Sequence, residues 1–201
     1  MNIRELYHCQ KKILLLYADI DTKISFFQKE YGLKCQKPCG LCCYKDDVYA
    51  TMIEFIPLAL DIYNRNEGDP AVRMLSQCGA APCSFYNYDP MLPGEGECSV
   101  YPQRGLICRL FGFSTVRDKY SQLQFSTCRA IKFAAPEQIV KLNGQINHID
   151  GPSLPNLSHS YGELFNLCYG LDTAFYPVNT AIKKALEWVL FLFYYRKPRR
   201  A

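Results

Sequence analysis

The chain has 201 residues, of which 49% are hydrophobic and 21% charged, a balance that excludes an intrinsically disordered protein. Its length suits one domain with short extensions. The formal charge is only +4, and much of the excess lies in the tail 196–200. Because four charges without a surrounding basic face give little attraction for phosphates, we expect a solvated tail and no nucleic-acid partner.

The first predicted element is a long amphipathic helix. Apolar side chains recur at steps of three and four over residues 2–30, with no proline or glycine among them. Gly32 follows at the position where a helix commonly ends. We interpret the apolar stripe as the face that packs on the core.

A loop and two further helices are predicted next. Pro38 and Gly40 bracket Cys39, which favours a loop over 35–47. Thr51 and Glu54 have the spacing of a capping box. Because proline is tolerated only in the first turn, the following helix should start near Pro57 or kink there. The pair 69–70, Asp-Pro, predicts the N-cap and first residue of a short helix to 77.

Prolines and glycines interrupt every periodic run within residues 79–129. We expect turn-rich chain with short extended pieces at 106–110 and 122–126. Few apolar residues fall in register there, so hydrophobic burial would hold this segment poorly. A metal cross-link would supply the missing stabilisation.

The C-terminal part is predicted to be helical at both ends. A helix over 136–147 starts at Pro136, residues 151–160 form a loop rich in proline and serine, and a last helix runs over 179–195. The apolar run 185–195 is shorter than the roughly 20 residues needed to cross a bilayer. We therefore predict a packing helix and no transmembrane segment.

The most informative feature is the distribution of the 11 cysteines. An odd number cannot pair completely, and the density is below that of a small disulfide scaffold. Four cysteines fall in the pattern C-x3-C-x2-C-C, and four more follow at wider intervals. These eight are the candidate metal ligands: Cys35, Cys39, Cys42, Cys43, Cys83, Cys98, Cys108 and Cys128.

The cellular compartment decides whether clustered cysteines tend to bind metal or to form disulfides. Charged residues interrupt the N-terminal apolar runs, and the run 13–17 is too short for the core of a signal peptide. This predicts a cytoplasmic protein whose clustered thiols hold metal rather than disulfides. Cys9, Cys78 and Cys168 lie outside the pattern and are predicted to be free and buried.

The donor set favours a soft metal. No histidine lies inside the cysteine block and carboxylates are few there, which is typical of zinc, copper(I) or an iron–sulfur cluster. In extended backbone, the adjacent Cys42 and Cys43 would point to opposite sides. The eight thiols could then form two four-sulfur sites, or one cluster with spare thiols.

Three arginines lie beside the later cysteines. Arg104, Arg109 and Arg129 could offset the negative charge of a thiolate site and donate hydrogen bonds to sulfur, or they could pair with surface acids. We treat them as candidate cofactor-binding residues. A cofactor pocket near Tyr101, Phe111 and Phe113 is a further hypothesis.

The order of these residues resembles the YkgJ-type CxxCxxCC cysteine-cluster family, described as zinc- or iron-chelating. The resemblance covers residues 35–129 and includes the run 98–109, CSVYPQRGLICR, with Tyr101, Arg104 and Arg109 in place. Two departures are a three-residue first gap and Gly105 where the family usually has proline. The family includes flagellin lysine N-methylases, held to be iron–sulfur proteins that use S-adenosylmethionine. Most members have no assigned activity, so the resemblance implies metal binding more firmly than catalysis.

Together these observations predict a mainly α protein with an irregular, turn-rich cysteine core, a small α+β domain held together by metal. We expect an N-terminal helix over 1–34, a metal-binding domain over 35–129 and a helical extension over 130–201 that packs on it. An iron–sulfur cluster is the first choice of cofactor and zinc the second. The alternatives are an iron–sulfur enzyme, such as a methyltransferase, and a structural module that binds a protein partner.

Overall fold

The computed structural model describes residues 1–35, 40–80, 82–88, 96–147 and 154–196, and the side chains of these residues up to 194. Cys39, Pro38 and the basic tail beyond 196, all discussed above, lie outside this part. The described chain is mainly helical with small two-stranded sheets, as predicted.

The N-terminal helix is confirmed. Helix α1 spans Ile3–Tyr31 and begins at Asn2, whose side chain accepts a hydrogen bond from Glu5 N–H while the Glu5 carboxylate accepts one from Asn2 N–H. It ends at Gly32, whose φ of 64° is the left-handed conformation that glycine adopts without steric cost.

The chain then forms short elements: helix α2 (Leu41–Tyr44), strand β1 (Tyr49–Thr51), a 3₁₀ helix (Met52–Phe55), helix α3 (Ile56–Asn64) and helix α4 (Gly68–Gln77). The predicted capping box of Thr51 and Glu54 is present and starts the 3₁₀ helix. Pro57 lies in the first turn of α3, so the helix starts there and does not kink. Asp69 and Pro70 lie inside the first turn of α4, since Glu67 is the N-cap.

The segment predicted to be rich in turns contains two hairpins. Strands β2 (Tyr86–Tyr88) and β3 (Gly96–Cys98) pair antiparallel, and so do β4 (Ser114–Arg117) and β5 (Leu123–Ser126). The extended piece predicted at 122–126 is confirmed by β5. The one predicted at 106–110 is wrong, because Leu106–Leu110 is a helix, α5.

The remaining helices are α6 (Arg129–Ala134), α7 (Pro136–Gln145), α8 (Leu157–Leu167) and α9 (Val178–Arg196). The helices predicted at 136–147 and 179–195 are confirmed, whereas α8 occupies part of the predicted loop because Asn156 caps it by accepting from His159 N–H. Strand β6 (Phe175–Pro177) leads into α9 and pairs with β1. No helix in the described ranges is both long and apolar enough to cross a membrane.

One continuous apolar core joins α1, α3, α8 and α9. Its largest fully buried side chains include Leu6, Ile13 and Tyr17 of α1 and Leu58 and Leu60 of α3. Helix α9 packs against α3, α4 and the 3₁₀ helix. These helices therefore form a frame, and the short elements that carry the cysteines pack against it.

A disulfide joins Cys9 of α1 to Cys168, which follows α8, with their Cα atoms 5.7 Å apart. Both residues are buried, as predicted, but they are not free. Cys78 is free and exposed, so its predicted burial is wrong. The pairing could not be read from the sequence because 159 positions separate the two cysteines.

Candidate metal centre

Five of the eight candidate cysteines line one cavity of about 520 Å³. They come from α2, from the coil before β2, from β3 and from α5, and they are Cys42, Cys43, Cys83, Cys98 and Cys108. Apolar side chains form much of the remaining wall, among them Phe55, Leu58, Val178 and Ile182. Elements far apart in the chain thus bring thiols to a single site.

Helix α2 explains how adjacent cysteines can share the cavity. In extended chain Cys42 and Cys43 would point to opposite sides, but they lie within a helical turn, where successive side chains are about 100° apart. Both therefore face the cavity, and the prediction of opposite sides is wrong. Two backbone hydrogen bonds to Gly40 O, from Cys43 N–H at 2.9 Å and Tyr44 N–H at 3.1 Å, hold the turn.

Backbone hydrogen bonds also set the positions of Cys83 and Cys98. Cys83 N–H donates to Cys43 O at 2.8 Å, which ties the two ligand-bearing segments directly together. Cys83 O accepts from Tyr86 N–H at 3.0 Å and so fixes the start of the hairpin. Cys98 then lies opposite Tyr86 in the β2–β3 register.

The Tyr86 ring lies against two glycines at this site. A Cβ on Gly40 would overlap the ring, and one on Gly96 would lie 2.7 Å from it. Glycine at both positions allows the ring to pack flat between α2 and the hairpin. This close approach holds the two cysteine-bearing segments side by side.

Cys108 is placed by a buried carboxylate. Glu54 is fully buried, and its Oε2 accepts a hydrogen bond of 2.7 Å from Ile107 N–H in the first turn of α5. Its Oε1 accepts from Thr51 N–H at 2.7 Å and from the Tyr161 hydroxyl at 3.0 Å. These bonds connect α5 to the 3₁₀ helix and α8, and so orient the helix that carries Cys108.

Gly105, the departure from the family pattern, begins α5 with φ −64°. Proline could adopt this φ, but a Cβ here would lie 2.7 Å from the Phe55 ring. The smaller residue therefore accommodates a close contact with Phe55, which lines the cavity.

Of the other three candidate ligands, Cys35 and Cys128 are not among the described residues that line the cavity. Cys35 is exposed. Cys128 caps α6, where its sulfur accepts from Ile131 N–H at 3.5 Å. Cys39 lies outside the described residues. Within the described ranges, no three Cys, His, Asp or Glu side chains are already gathered closely enough to hold one ion.

The comparison with family models agrees with the cysteine order. Residues 34–132 match the family CxxCxxCC, described as a "Putative zinc- or iron-chelating domain". This segment belongs to the CxxCxxCC family. It includes all eight candidate cysteines, so the resemblance inferred from them is confirmed and metal binding is supported. Comparisons with curated proteins and with solved structures gave no match to this chain.

Electrostatics within the CxxCxxCC segment favour thiolates at two positions. The Cys43 thiol hydrogen-bonds to Cys42 and to Cys98, and this lowers the pKa of each of those two thiols to about 7. The same bonds raise the pKa of Cys43, which keeps the proton. Two thiolates near neutral pH are suited to receive a cation.

The thiols of Cys83 and Cys108 are harder to ionise than those of Cys42 and Cys98. Burial raises the pKa of Cys83 to about 11 and raises that of Cys108 well above its ordinary value. Nearby cysteines add to both shifts, because a second negative charge would be unfavourable there. A bound cation would reverse this penalty, so the chemistry of the donor set fits a thiolate-bound metal.

The predicted arginines are in three different settings. Arg104 lines the cavity and helps to lower the pKa of Cys98, after the larger effect of Cys43. Arg109 is buried; its guanidinium pairs with Asp21 of α1 and lies 4.5 Å from the centre of the Tyr17 ring. Arg129 is exposed at the start of α6.

The sequence predicted part of the cavity lining but not the part that α9 supplies. Tyr101 and Phe111 line the cavity as hypothesised, whereas Phe113 is buried elsewhere in the core. Val178 and Ile182 of α9 had not been considered, since they lie about 70 residues beyond Cys108 in the chain. The pairing of β1 with β6 brings them to the site, and no local pattern in the sequence signals that pairing.

Proposed function

We propose that this protein holds an iron–sulfur cluster in the cysteine-lined cavity. The observation that supports the proposal is the convergence of five cysteines on one space of about 520 Å³. A water molecule takes up only about 30 Å³ of the liquid, so this cavity has room for much more than one small ion. Four cysteine ligands suffice for such a cluster.

The ligands would come from Cys42, Cys43, Cys83, Cys98 and Cys108. Cys35, Cys39 and Cys128 complete the pool of eight and would act as alternative ligands. Arg104, beside Cys98, would offset part of the negative charge of the thiolates. When bound, the cluster would supply a one-electron redox centre or an open coordination position.

The test is purification without air, followed by measurement of iron, zinc and acid-labile sulfide and of visible absorbance. We expect iron and sulfide in near-equal amounts and a brown protein. Cys98→Ser should lower the iron content at least about tenfold, in line with the loss of a metal ligand. Stoichiometric zinc in a colourless protein without sulfide would overturn the choice of iron.

Cys78→Ser is the matched control, because Cys78 is a free, exposed cysteine outside the cavity wall. It should keep the wild-type iron and sulfide content. Equal loss in the two variants would show that general thiol chemistry, and not the cavity, determines the metal content.

A second candidate function is an enzyme that binds a small substrate beside the cluster, for example a methyltransferase that uses S-adenosylmethionine. The cavity volume favours it, because pockets for small ligands span about 300–1,000 Å³. Calorimetric titration of the metal-loaded protein with S-adenosylmethionine tests this version. Ile182→Phe should narrow the cavity and lower the heat measured per iron bound; no heat with the wild type rejects it.

A further inference from the structure

The Asn179 side chain links α9 to the segment that carries Cys83. Asn179 is 2% exposed, at the start of α9. Its Oδ1 accepts from Ser84 N–H at 2.8 Å, and its Nδ2 donates to Gly79 O at 2.9 Å and to Pro82 O at 3.0 Å. Both donors and the acceptor of the amide are therefore used.

These bonds hold the chain on both sides of Cys83. Pro82 and Ser84 are its immediate neighbours, and each is bonded to the same amide. Cys83 N–H donates in addition to Cys43 O. The backbone at Cys83 is thus fixed between α9 and α2, which leaves its thiol directed at the cavity that it lines.

The position of Asn179 is itself fixed by strand pairing. Strand β6 pairs with β1, and Val178 N–H donates to Val48 O at 3.0 Å. Asn179 is the second residue of α9 and so lies past the N-cap, the position where an asparagine side chain commonly bonds to its own helix. Its side chain instead bonds to residues 95 to 100 positions earlier in the chain.

We propose that Asn179 is a positioning residue of the metal centre, and that α9 completes a site whose cysteines all lie in the CxxCxxCC segment. Asn179 keeps the Cys83 thiol facing the cavity, and Val178 and Ile182 of the same helix close the wall behind it. The inference rests on the proposed function for the claim that Cys83 is a ligand. It does not depend on the metal being iron.

The test compares Asn179→Ala with Asn156→Ala. The Asn156 side chain also links two segments, because it accepts a hydrogen bond from His159 N–H at 3.1 Å and donates one to Thr115 O at 3.2 Å. Neither partner is next to Cys83 in the chain, and Asn156 does not line the cavity. The first readout is the rate at which iodoacetamide modifies Cys83 in metal-free protein, measured by peptide mass spectrometry relative to Cys42. The second is the affinity for zinc added as a probe under reducing conditions.

We expect Asn179→Ala to change the relative alkylation rate of Cys83 at least about fivefold and to weaken zinc binding about 10- to 100-fold, the loss typical of an outer partner of a ligand. Asn156→Ala should leave both within twofold. Asn179→Ser, which keeps one hydroxyl able to bond to this segment, should give an intermediate effect in both. If Asn179→Ala does not fold, Asn179→Ser takes its place in the comparison.

The outcomes separate the two proposals. If neither readout distinguishes the Asn179 variants from Asn156→Ala, the positioning role is wrong. If Cys83 reactivity changes but zinc affinity does not, Asn179 still positions Cys83 and the assignment of Cys83 as a ligand is wrong. If both change together, α9 is part of the metal centre.

Discussion

The helical frame and the cysteine region of this protein are held together by different forces. The frame, formed by α1, α3 and α9, consists of long helices with fully buried apolar faces. The cysteine region, formed by α2, the β2–β3 hairpin and α5, consists of elements of three to five residues whose cysteines are only partly buried. Hydrophobic burial accounts for the first, whereas the second has few fully buried apolar side chains, chiefly Leu106 and Leu110 of α5.

This difference predicts where a bound metal would contribute most to folding. Isolated helices shorter than about 12 residues and single two-stranded hairpins are marginal in water. The cysteine region joins such elements through the hydrogen bonds of Cys83, Glu54 and Asn179. A thiolate-bound metal would add cross-links among the same segments, so the region should depend on metal far more than the frame does.

Metal removal should separate the two regions most strongly. We expect chelation to speed amide hydrogen exchange in α2, the β2–β3 hairpin and α5 by at least about 100-fold, because only these elements lose a cross-link. Helices α1 and α9 should exchange as slowly as before. Hydrogen exchange with mass spectrometry measures both, and equal change in the two regions, or none in either, would contradict the division.

Loss of the disulfide should weaken the frame and spare the cysteine region. The paired change Cys9→Ala with Cys168→Ala should lower the free energy of unfolding by about 2–5 kcal/mol, because it releases a loop closed over 159 positions. Urea denaturation gives this value. The metal content should stay the same, and Cys78→Ala should change stability by less than about 0.5 kcal/mol. A fall in metal content would mean that the two regions are coupled through α1.

Glu54, at the boundary of the two regions, should make stability depend on pH. Burial raises its pKa from 4.5 to about 7, against the opposing effect of its hydrogen bonds. Between these values the folded protein keeps a proton that the unfolded chain releases. This contribution to stability is therefore full below pH 4.5, falls by about 3 kcal/mol as the pH rises to 7, and is constant above.

The difference in unfolding free energy between wild type and Glu54→Gln, measured from pH 4 to 8, isolates this titration. Glutamine does not ionise, so the difference should follow the predicted slope, while the exposed acids cancel because both proteins contain them. A difference that stays flat would show that Glu54 does not titrate in this range.

The smallest expected effect concerns the ion pairs of α1. Asp21→Asn should cost about 1–3 kcal/mol, because Asp21 is the partner of the buried Arg109 and also accepts from Arg104 at 3.1 Å. Asp19→Asn removes an exposed pair with Lys23 on the same helix and should cost about 0.3–0.5 kcal/mol. Thermal denaturation of both variants tests the comparison, and equal costs would contradict it.

Sequence patterns predicted the frame better than the cysteine region because the frame is specified locally. The apolar spacing and end signals of α1 and the proline at the start of α7 lie within the elements they define. Helix α5 was predicted to be extended because the group that accepts from its first turn, Glu54, lies 53 positions away from Ile107. Asn156 did carry a local signal for α8, but the nearby prolines and serines outweighed it.

The candidate site was predictable as a set of residue types and not as a geometry. The cysteine order predicted a ligand pool, and the family resemblance that it suggested is confirmed. It could not show that a helical turn directs Cys42 and Cys43 into one cavity, or that α9 supplies a wall and a clamp. These features depend on pairings between distant segments, which leave no periodic trace in the sequence.

The contribution of α9 limits how far this protein can be truncated. A fragment cut to residues 34–132 would keep every candidate ligand but lose the partners of Phe55 and Leu58, side chains that are at most 2% exposed in the whole chain. Such a fragment should aggregate before it can load metal. The segment that matches the family is thus shorter than the smallest fragment that we expect to fold in solution.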